Sequence, residues 1–222
     1  MPAIVLAEDA VIPAGVVDHA SFCEWALSDD FPQRGRFGFF NDSVWVSFEM
    51  ETENHNWIKT IITMSLTTLI LAKKLGRFYS DRMMFSHPAT GLATEPDGMF
   101  VSTAARRSGQ VTVRGGRADL GGAVILEGTP DMVLEVVSPG SVTKDTVDLV
   151  DAYWRAGIPE YWLVDPRGGG PPQFTLYAHA ARGYKAVRPA GGWRKSAVFG
   201  VAVRLTSSTD DLGLPTYALE TR

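Results

Sequence analysis

The segment Pro130–Asp165 constrains the fold of this chain more than any other part of the sequence. Met132–Val137 is almost entirely apolar, which is typical of a strand covered on both faces of a sheet. A helical pattern follows over Lys144–Ala156, in which Val147, Val150 and Trp154 form an apolar stripe with Leu149 and Tyr153 alongside. Tyr161–Val164 is a second apolar run. A strand, a helix and a strand of these lengths predict a βαβ unit with parallel strands and a right-handed crossover.

Other patterns add a long helix and more strands. Apolar residues recur at helical spacing over residues 53–74, which predicts an amphipathic helix. Ser43–Glu49 alternates between apolar and polar residues, and Gly98–Ser102 also indicates a strand, whereas residues 103–118 indicate a loop or loose hairpin. Shorter patterns predict strands at Arg77–Met84, Ala123–Glu127, Phe174–Tyr177, Tyr184–Val187 and Ala197–Leu205.

Together these elements predict an α/β fold. We expect a mixed central sheet flanked by helices, with additional C-terminal β strands that extend or cover it. Residues 1–40 are expected to be an irregular lead-in with a short helix at Cys23–Leu27, and residues 41–222 are expected to form a single domain. The 222 residues, 45% of them hydrophobic, suffice for one sizeable core and do not require two domains.

Composition bears on location and partners. The chain has one cysteine, Cys23, which excludes an internal disulfide and favours a reducing, cytoplasmic location. The N-terminus lacks the basic region of a secretory signal. The longest apolar stretch, Trp57–Leu75, contains too many polar residues to span a membrane. The net charge of −4 weighs mildly against a dedicated nucleic-acid binder, although a local basic groove is compatible with it.

A carboxylate interrupts the predicted central strand. Because side chains alternate along a strand, Asp131, Val133, Glu135 and Val137 share one face. Burial of Glu135 among apolar neighbours is costly unless a metal ion, a lysine or an arginine accompanies it. The pattern therefore predicts either a functional site at Glu135 or a salt bridge to a neighbouring helix.

Asp97 is the second candidate carboxylate. It follows a proline and opens the strand Gly98–Ser102, so we expect it near a sheet end, where functional sites gather, although Pro-Asp is also a common turn starter. Two carboxylates supply the oxygen ligands that Mg²⁺ or Mn²⁺ prefers. Such an ion activates water and stabilises the charge that develops during attack on phosphorus.

Four blocks of sequence occur in a fixed order. They are ENHNWI (Glu53–Ile58), EPDGMFVS (Glu95–Ser102), TPDMVLEVVSPGS (Thr129–Ser141) and YWRAGIPEYWLVDP (Tyr153–Pro166). In this order they resemble the Uma-two family of restriction-type endonucleases, within the PD-(D/E)XK nuclease superfamily. The resemblance spans roughly residues 44–166. It implies a restriction-endonuclease-like fold, DNA as substrate and Mg²⁺ or Mn²⁺ as cofactor.

The resemblance also implies catalytic roles. Asp97 would be the motif aspartate and Glu135 the acid of the (D/E)XK motif, both of them metal ligands. Glu53, at the head of the first helix, would be the accessory acid, a role that Glu49 or Glu51 could also fill.

The motif lysine is missing from its usual place. Val137 stands two residues after Glu135, where the motif has a lysine. Many members of the family that this sequence resembles carry the lysine on the following helix instead, and Leu149 stands at that position here. Lys144 is expected to reach back to the sheet as the catalytic lysine because its stem is long and flexible, and Lys59 is the other candidate. The alternative is a weak or inactive nuclease that binds nucleic acid or a protein.

The remaining candidates have supporting roles. His55 matches a position where the family often has histidine, and it is expected to orient the helix or reach the site. Asp131 is expected to be a strand-end residue or a carboxylate that supports the ligands. Arg106 and Arg107, in a basic stretch that runs to Arg117, predict either phosphate contacts or a solvated loop. A homodimer is also expected, since such nucleases often pair to address two strands.

Overall fold

The computed structural model describes residues 4–7, 10–115, 125–168 and 170–222. Its helices are α1 (His19–Ala26), α2 (Glu53–Lys73), α3 (Thr103–Ser108) and α4 (Leu149–Arg155), the last continuing a π-helical turn at Lys144–Asp148. Its strands are β1 (Ile4–Ala7), β2 (Ala10–Ile12), β3 (Arg36–Phe40), β4 (Ser43–Ser47), β5 (Gly76–Ser80), β6 (Met84–His87), β7 (Leu92–Thr94), β8 (Gly98–Ser102), β9 (Val111–Arg114), β10 (Ile125–Gly128), β11 (Met132–Val136), β12 (Glu160–Asp165), β13 (Gln173–Ala178), β14 (Lys185–Ala186), β15 (Arg194–Ser196), β16 (Val201–Thr209) and β17 (Pro215–Thr221).

The central sheet has the strand order β14-β13-β12-β11-β8-β5. Strands β11 and β12 run parallel, with Glu135 opposite Leu163, and the other neighbours run antiparallel. A second sheet has the order β4-β3-β7-β6-β10-β9, β15–β17 form a third, and β1 pairs with β2 in an antiparallel two-stranded sheet. The predicted α/β fold, with its mixed central sheet, flanking helices and C-terminal strands, is confirmed.

Both faces of the central sheet are covered. On one face, α2 and the sheet β15–β17 enclose a core that includes Leu134 and Val136. On the other face, α4 and the second sheet enclose a core that includes Val133 and Tyr153. Because side chains alternate along β11, Glu135 points to the same side as Val133, towards α4.

The long helix α2 is the one that the periodicity predicts. It begins after Thr52, whose Oγ1 accepts a hydrogen bond from the backbone N–H of His55 at 3.2 Å, and ends at Lys74, which has a φ of 53°. The buried face of α2 carries the polar residues His55 and Lys59 as well as apolar residues. The side chains of His55 and Lys59 therefore face the central sheet. Neither α2 nor any other helix in the described ranges has the length and apolar character that crossing a bilayer requires.

The lead-in predicted over residues 1–40 is more ordered than expected. Its short helix, predicted at Cys23–Leu27, is α1 and begins at His19, and β3 lies in the same segment. Asp18 caps α1 by accepting a hydrogen bond from the backbone N–H of Ser21 at 2.8 Å. The rings of Phe22 and Trp25 are buried in the core beneath the second sheet. A cap and burial against distant strands therefore order this segment beyond the short helix that the sequence predicts.

The stretch 103–118 also differs from the prediction of a loop or loose hairpin. It contains α3, which Ser102 caps by accepting a hydrogen bond from the backbone N–H of Ala105 at 3.0 Å, and β9, which pairs with β10. Arg117 and residues 123–124, the start of a predicted strand, lie outside the described residues.

The helix after β11 begins differently from its predicted form. Val147, expected on the apolar stripe, is 60% exposed, whereas Leu149 and Tyr153 are fully buried. The π-helical turn changes the rotation of the chain before the regular helix begins. As a result, Lys144 and Asp145 face the interior.

Candidate active site

Asp97 lies immediately before β8 and its side chain is buried. Its Oδ2 accepts a hydrogen bond from the backbone N–H of Val136, the last residue of β11, at 2.8 Å. This hydrogen bond connects the start of β8 to the end of β11, one residue after Glu135. The two carboxylates of the predicted motif therefore belong to neighbouring strands at one end of the central sheet.

Three cationic or titratable side chains surround Asp97. The Nη1 of Arg36 donates to its Oδ1 at 2.9 Å, and the Nζ of Lys59 lies 3.5 Å from the same oxygen. The Nε2 of His55 lies 3.7 Å from Oδ2 and donates to the carbonyl oxygen of Val136 at 2.6 Å. Burial acts to raise the pKa of Asp97, but Lys59, Arg36 and His55 outweigh it, so the pKa lies below its ordinary value.

Two more carboxylates join Asp97 outside the sheet. Ligand atoms of Glu51, Asp81 and Asp97 lie within 4.8 Å of one another, the one such group among the described residues. Arg36 contacts all three acids, with its Nη2 at 2.5 Å from Glu51 and 2.9 Å from Asp81. The Nζ of Lys59 also contacts all three acids. Without a metal ion, these two side chains neutralise most of the negative charge of the three acids.

Glu135 is fully buried on the α4 side of the sheet. Its Oε1 accepts a hydrogen bond from the hydroxyl of Tyr153 at 2.6 Å, and its Oε2 lies 3.5 Å from the Nζ of Lys144. Burial raises the pKa of Glu135 to about 8, and Asp145 and Asp97 add to the rise, whereas Lys144 and Tyr153 oppose it. An ionised Glu135 is therefore costly unless further positive charge comes close.

Lys144 reaches the sheet because the π-helical turn faces it inward. Its Nζ lies 2.6 Å from Oδ1 of Asp145 and 5.0 Å from the centre of the Trp45 ring. Burial acts to lower the pKa of Lys144, but Glu135 and Asp145 outweigh it and hold the pKa above its ordinary value. Asp145 is held in turn by the hydroxyl of Ser141. The lysine is thus a buried, fixed positive charge.

A cavity of about 40 Å³ lies between these groups and is large enough for a few water molecules. Its lining side chains include Arg36, Trp45, Glu51, His55, Asp97 and Lys144. Glu135 does not line this cavity and is connected to it through Lys144. The cavity therefore brings together one motif acid, one lysine and the neighbouring acids Glu49, Glu51 and Asp145, with the second motif acid directly behind them.

Other predicted site residues lie elsewhere. Glu53 is exposed and lines a different cavity with Trp57 and Asp210, so Glu51, not Glu53, is the acid beside Asp97. Arg106 and Arg107 lie on α3, beyond the opposite end of β8 from Asp97.

Asp131 occupies the far end of β11 from Val136. Its carboxylate accepts hydrogen bonds from the backbone N–H of Ser102 at 2.6 Å and from the hydroxyl of Ser102 at 3.1 Å. Of its two predicted roles, this geometry matches the strand-end residue.

This placement of Asp131 gives a testable expectation. We expect Asp131→Ala to lower the free energy of unfolding by about 1–2 kcal/mol, because the N–H of Ser102 loses its partner, and to leave any DNA cleavage unchanged. Urea denaturation measures the first effect, with Asp151→Ala, at an exposed position of α4, as the matched control. A loss of cleavage without a loss of stability would instead place Asp131 in the site.

Sequence reasoning missed several members of this arrangement. Arg36 falls in the segment predicted to be irregular, and Asp81 lies in a turn with a φ of 29° that no pattern marks. Tyr153 is predicted only alongside the apolar stripe of its helix, although its hydroxyl donates to Glu135. Asp145, adjacent to Lys144, is not among the site residues predicted from the sequence.

Comparisons with known proteins identify a family and a similar fold. The sequence model of the Uma2 family, described as "Putative restriction endonuclease", matches residues 20–206. A crystal structure from Anabaena variabilis ATCC 29413, described as "a putative nuclease belonging to DUF820", is similar, with a TM-score of 0.59 and 12% sequence identity over 83% of this chain and 91% of that one. At this identity the likeness shows a shared fold. No curated protein matches significantly.

Proposed function

Because the chain belongs to the Uma2 family of restriction endonucleases, we propose that it is a divalent-metal-dependent endonuclease that hydrolyses DNA phosphodiester bonds. The position of Lys144 carries the proposal. Its Nζ lies 3.5 Å from Glu135, so a buried cation stands beside the motif acid although Val137 occupies the usual lysine position. A neighbouring helix supplies the charge that the strand lacks.

The donor set suits a hard divalent cation. Asp97 and Glu135 would hold Mg²⁺ or Mn²⁺, since carboxylate oxygens are the ligands that these ions prefer. A cation between them would also offset the burial and the repulsion that together raise the pKa of Glu135. When bound, the ion supplies an activated water and stabilises the charge on the attacked phosphate.

The remaining side chains orient these acids and stabilise charge. Lys144 stabilises the negative charge that develops on the phosphate, because a fixed cation in a buried site acts more strongly than one in water. Arg36 holds Asp97 in place through its 2.9 Å hydrogen bond. His55 fixes the end of β11 through the carbonyl of Val136 and so positions the strand that carries the motif acid.

We assign the accessory acid to Glu51. Its carboxylate shares Arg36 and Lys59 with Asp97, and these side chains and Asn56 hold its pKa below the ordinary value against the effect of burial. It is therefore ionised near neutral pH and available to a metal ion.

DNA is the proposed substrate and the cytoplasm the proposed location. The family description supports the first. The single cysteine, Cys23, is a buried free thiol, which suits a reducing compartment.

One observation favours a second candidate function, a catalytically weak or inactive nuclease fold that binds nucleic acid or a protein. Arg36 and Lys59 already neutralise Glu51, Asp81 and Asp97 and compete with a metal ion for their oxygens. In that case the acids would serve the structure of the site rather than its chemistry.

Cleavage of supercoiled plasmid DNA separates the two functions. We expect nicking or linearisation with Mg²⁺ or Mn²⁺ and none with EDTA. Asp97→Asn and Glu135→Gln should each lower the rate by at least about 100-fold, because each removes a metal ligand, whereas Asp151→Asn should not. Cleavage that survives both site substitutions would refute the assigned site. No cleavage with either metal would favour the binding function.

A further inference from the structure

The charges of this chain are unevenly distributed along the sequence. Residues 166–209 contain seven lysine and arginine residues and no aspartate or glutamate. The rest of the chain holds the other 14 of the 21 basic residues and all 25 acidic residues, so the net charge of −4 conceals a strongly basic segment. Such a separation of charge favours binding of an anionic polymer at one place on the surface.

The basic segment forms part of an exposed sheet face. In the sheet β15–β17, Val203 points into the core, so its neighbours Ala202 and Arg204 point outward. Ala202 lies opposite Lys195 of β15, and on its other side it exchanges backbone hydrogen bonds with Arg222. Lys195, Arg204 and Arg222 therefore share the outward side of the sheet, which we call the basic face.

A tryptophan ring orders the arginines of the basic face. The guanidinium carbons of Arg204 and Arg222 lie 4.6 and 4.2 Å from the centre of the Trp193 ring. Stacking on a ring orients a guanidinium but leaves its N–H donors free. Within the described residues, the one acid bonded to the basic face is Glu220, which accepts a hydrogen bond from the Nε of Arg204 at 2.9 Å. Arg222 and the exposed Lys195 therefore keep donors available for an anion.

Hydroxyl groups continue the basic face towards the candidate active site. Past Arg204, β16 ends in four hydroxyl-bearing residues, Thr206–Thr209. Three of them line a groove of about 320 Å³ that reaches Asn54, the second residue of α2. The next residue of α2, His55, lines the cavity of the candidate active site. The basic face and this groove thus form one surface that extends about 20 Å along β16, at about 3.3 Å per residue.

We propose that the basic face binds the phosphate backbone of DNA outside the cleavage site. A surface about 20 Å long matches about six nucleotides of one strand, at about 3.4 Å each, so its three cations can contact successive phosphates. Apart from Trp193, the outward positions of the sheet carry no large apolar side chain, which the centre of a protein interface would need. Such contacts read no bases and should strengthen the binding of DNA of any sequence.

The inference rests on the proposed function for the choice of DNA, but it requires neither a metal ion nor cleavage. The direct test is fluorescence anisotropy with a labelled duplex in EDTA at about 0.1 M NaCl. Lys195→Gln/Arg222→Gln should raise the Kd at least tenfold over that of the wild type. It should also reduce the slope of log Kd against log salt by about 2, because two fewer phosphate contacts release fewer counterions.

The matched control removes two cations from another part of the surface. Lys73→Gln/Lys74→Gln changes the net charge equally at the exposed end of α2 and should bind DNA like the wild type. Circular dichroism checks that both double variants fold. Equal affinities of the two double variants, or no binding by the wild type at low salt, would overturn the inference.

Two further comparisons separate this inference from its alternatives. If the proposed nuclease function alone were wrong, DNA binding in EDTA would persist and would still depend on Lys195 and Arg222, although no metal ion would support cleavage. Polyglutamate serves as the second polyanion and should compete with DNA only weakly. Binding of polyglutamate as tight as that of DNA, lost in the same double variant, would assign the basic face to an acidic protein and overturn the assignment to DNA.

Discussion

Replacement of Lys144 by methionine should lower the rate of metal-dependent DNA cleavage by at least about 100-fold. The lysine stands 3.5 Å from Glu135 and 2.6 Å from Asp145, and Val137 provides no charge at the usual motif position. Methionine keeps much of the apolar stem and removes the ammonium group, so the lost rate reports the charge. Plasmid cleavage with Mn²⁺, compared with that of the wild type, measures it.

Stability must be followed alongside activity in this experiment. Removal of one partner from a buried ionic group costs about 3–5 kcal/mol, and Lys144→Met leaves Asp145 and Glu135 without their cation. Lys144→Arg keeps the charge and should fold, but its planar guanidinium cannot replace a compact ammonium, so cleavage should still fall. The exposed Lys185→Met should behave like the wild type. Full activity in a folded Lys144→Met variant would transfer the lysine role to Lys59.

The metal-free protein should lose stability as the pH rises from about 4.5 to about 8, because the folded state raises the pKa of Glu135 over this range. A carboxyl group with a raised folded-state pKa stabilises the fold while it is protonated, and that contribution is fully present below the unfolded pKa. It disappears as the pH rises through the folded pKa. Glu95, whose pKa burial raises to about 7, adds to the same trend.

Urea denaturation in EDTA at pH 5 and pH 8.5 measures this dependence. Glu135→Gln should remove at least about 1.4 kcal/mol of it, the equivalent of one pKa unit, because glutamine cannot ionise. Mn²⁺ should restore stability to the wild type at pH 8.5, where Glu135 is ionised, and should do so far less in Glu135→Gln. Identical pH dependence in the two proteins would show that Glu135 titrates normally.

The parts of the fold that were predictable from sequence have strong local patterns. The periodicity of α2 and the apolar runs of β11 and β12 define these elements almost to the residue, and a parallel βαβ unit follows from their lengths. Segments held by caps or by contacts with distant strands, such as α3 and β3, leave no such pattern. The π-helical turn before α4 is equally invisible, and it decides that Lys144 rather than Val147 faces the sheet.

The candidate site divides in the same way. Asp97 and Glu135 were identifiable because a carboxylate beside an apolar strand needs a partner, and the family resemblance supplied their roles. Arg36 and Asp81 were not, because salt bridges between residues far apart in sequence leave no local signal. The sequence offers Glu51 as one of three alternatives for the accessory acid. Its link to Asp97 runs through Lys59 and Arg36, and these salt bridges are visible only in the structure.

Calorimetric titration with Mn²⁺ tests the central claim most directly, because it asks whether Asp97 and Glu135 bind a divalent ion without requiring DNA or turnover. The wild type should bind the ion at neutral pH, Asp97→Asn and Glu135→Gln should each weaken binding at least tenfold, and Asp151→Asn should leave it unchanged. Equal binding by the wild type and both site variants, or no binding by the wild type, would contradict the metal site proposed for this protein.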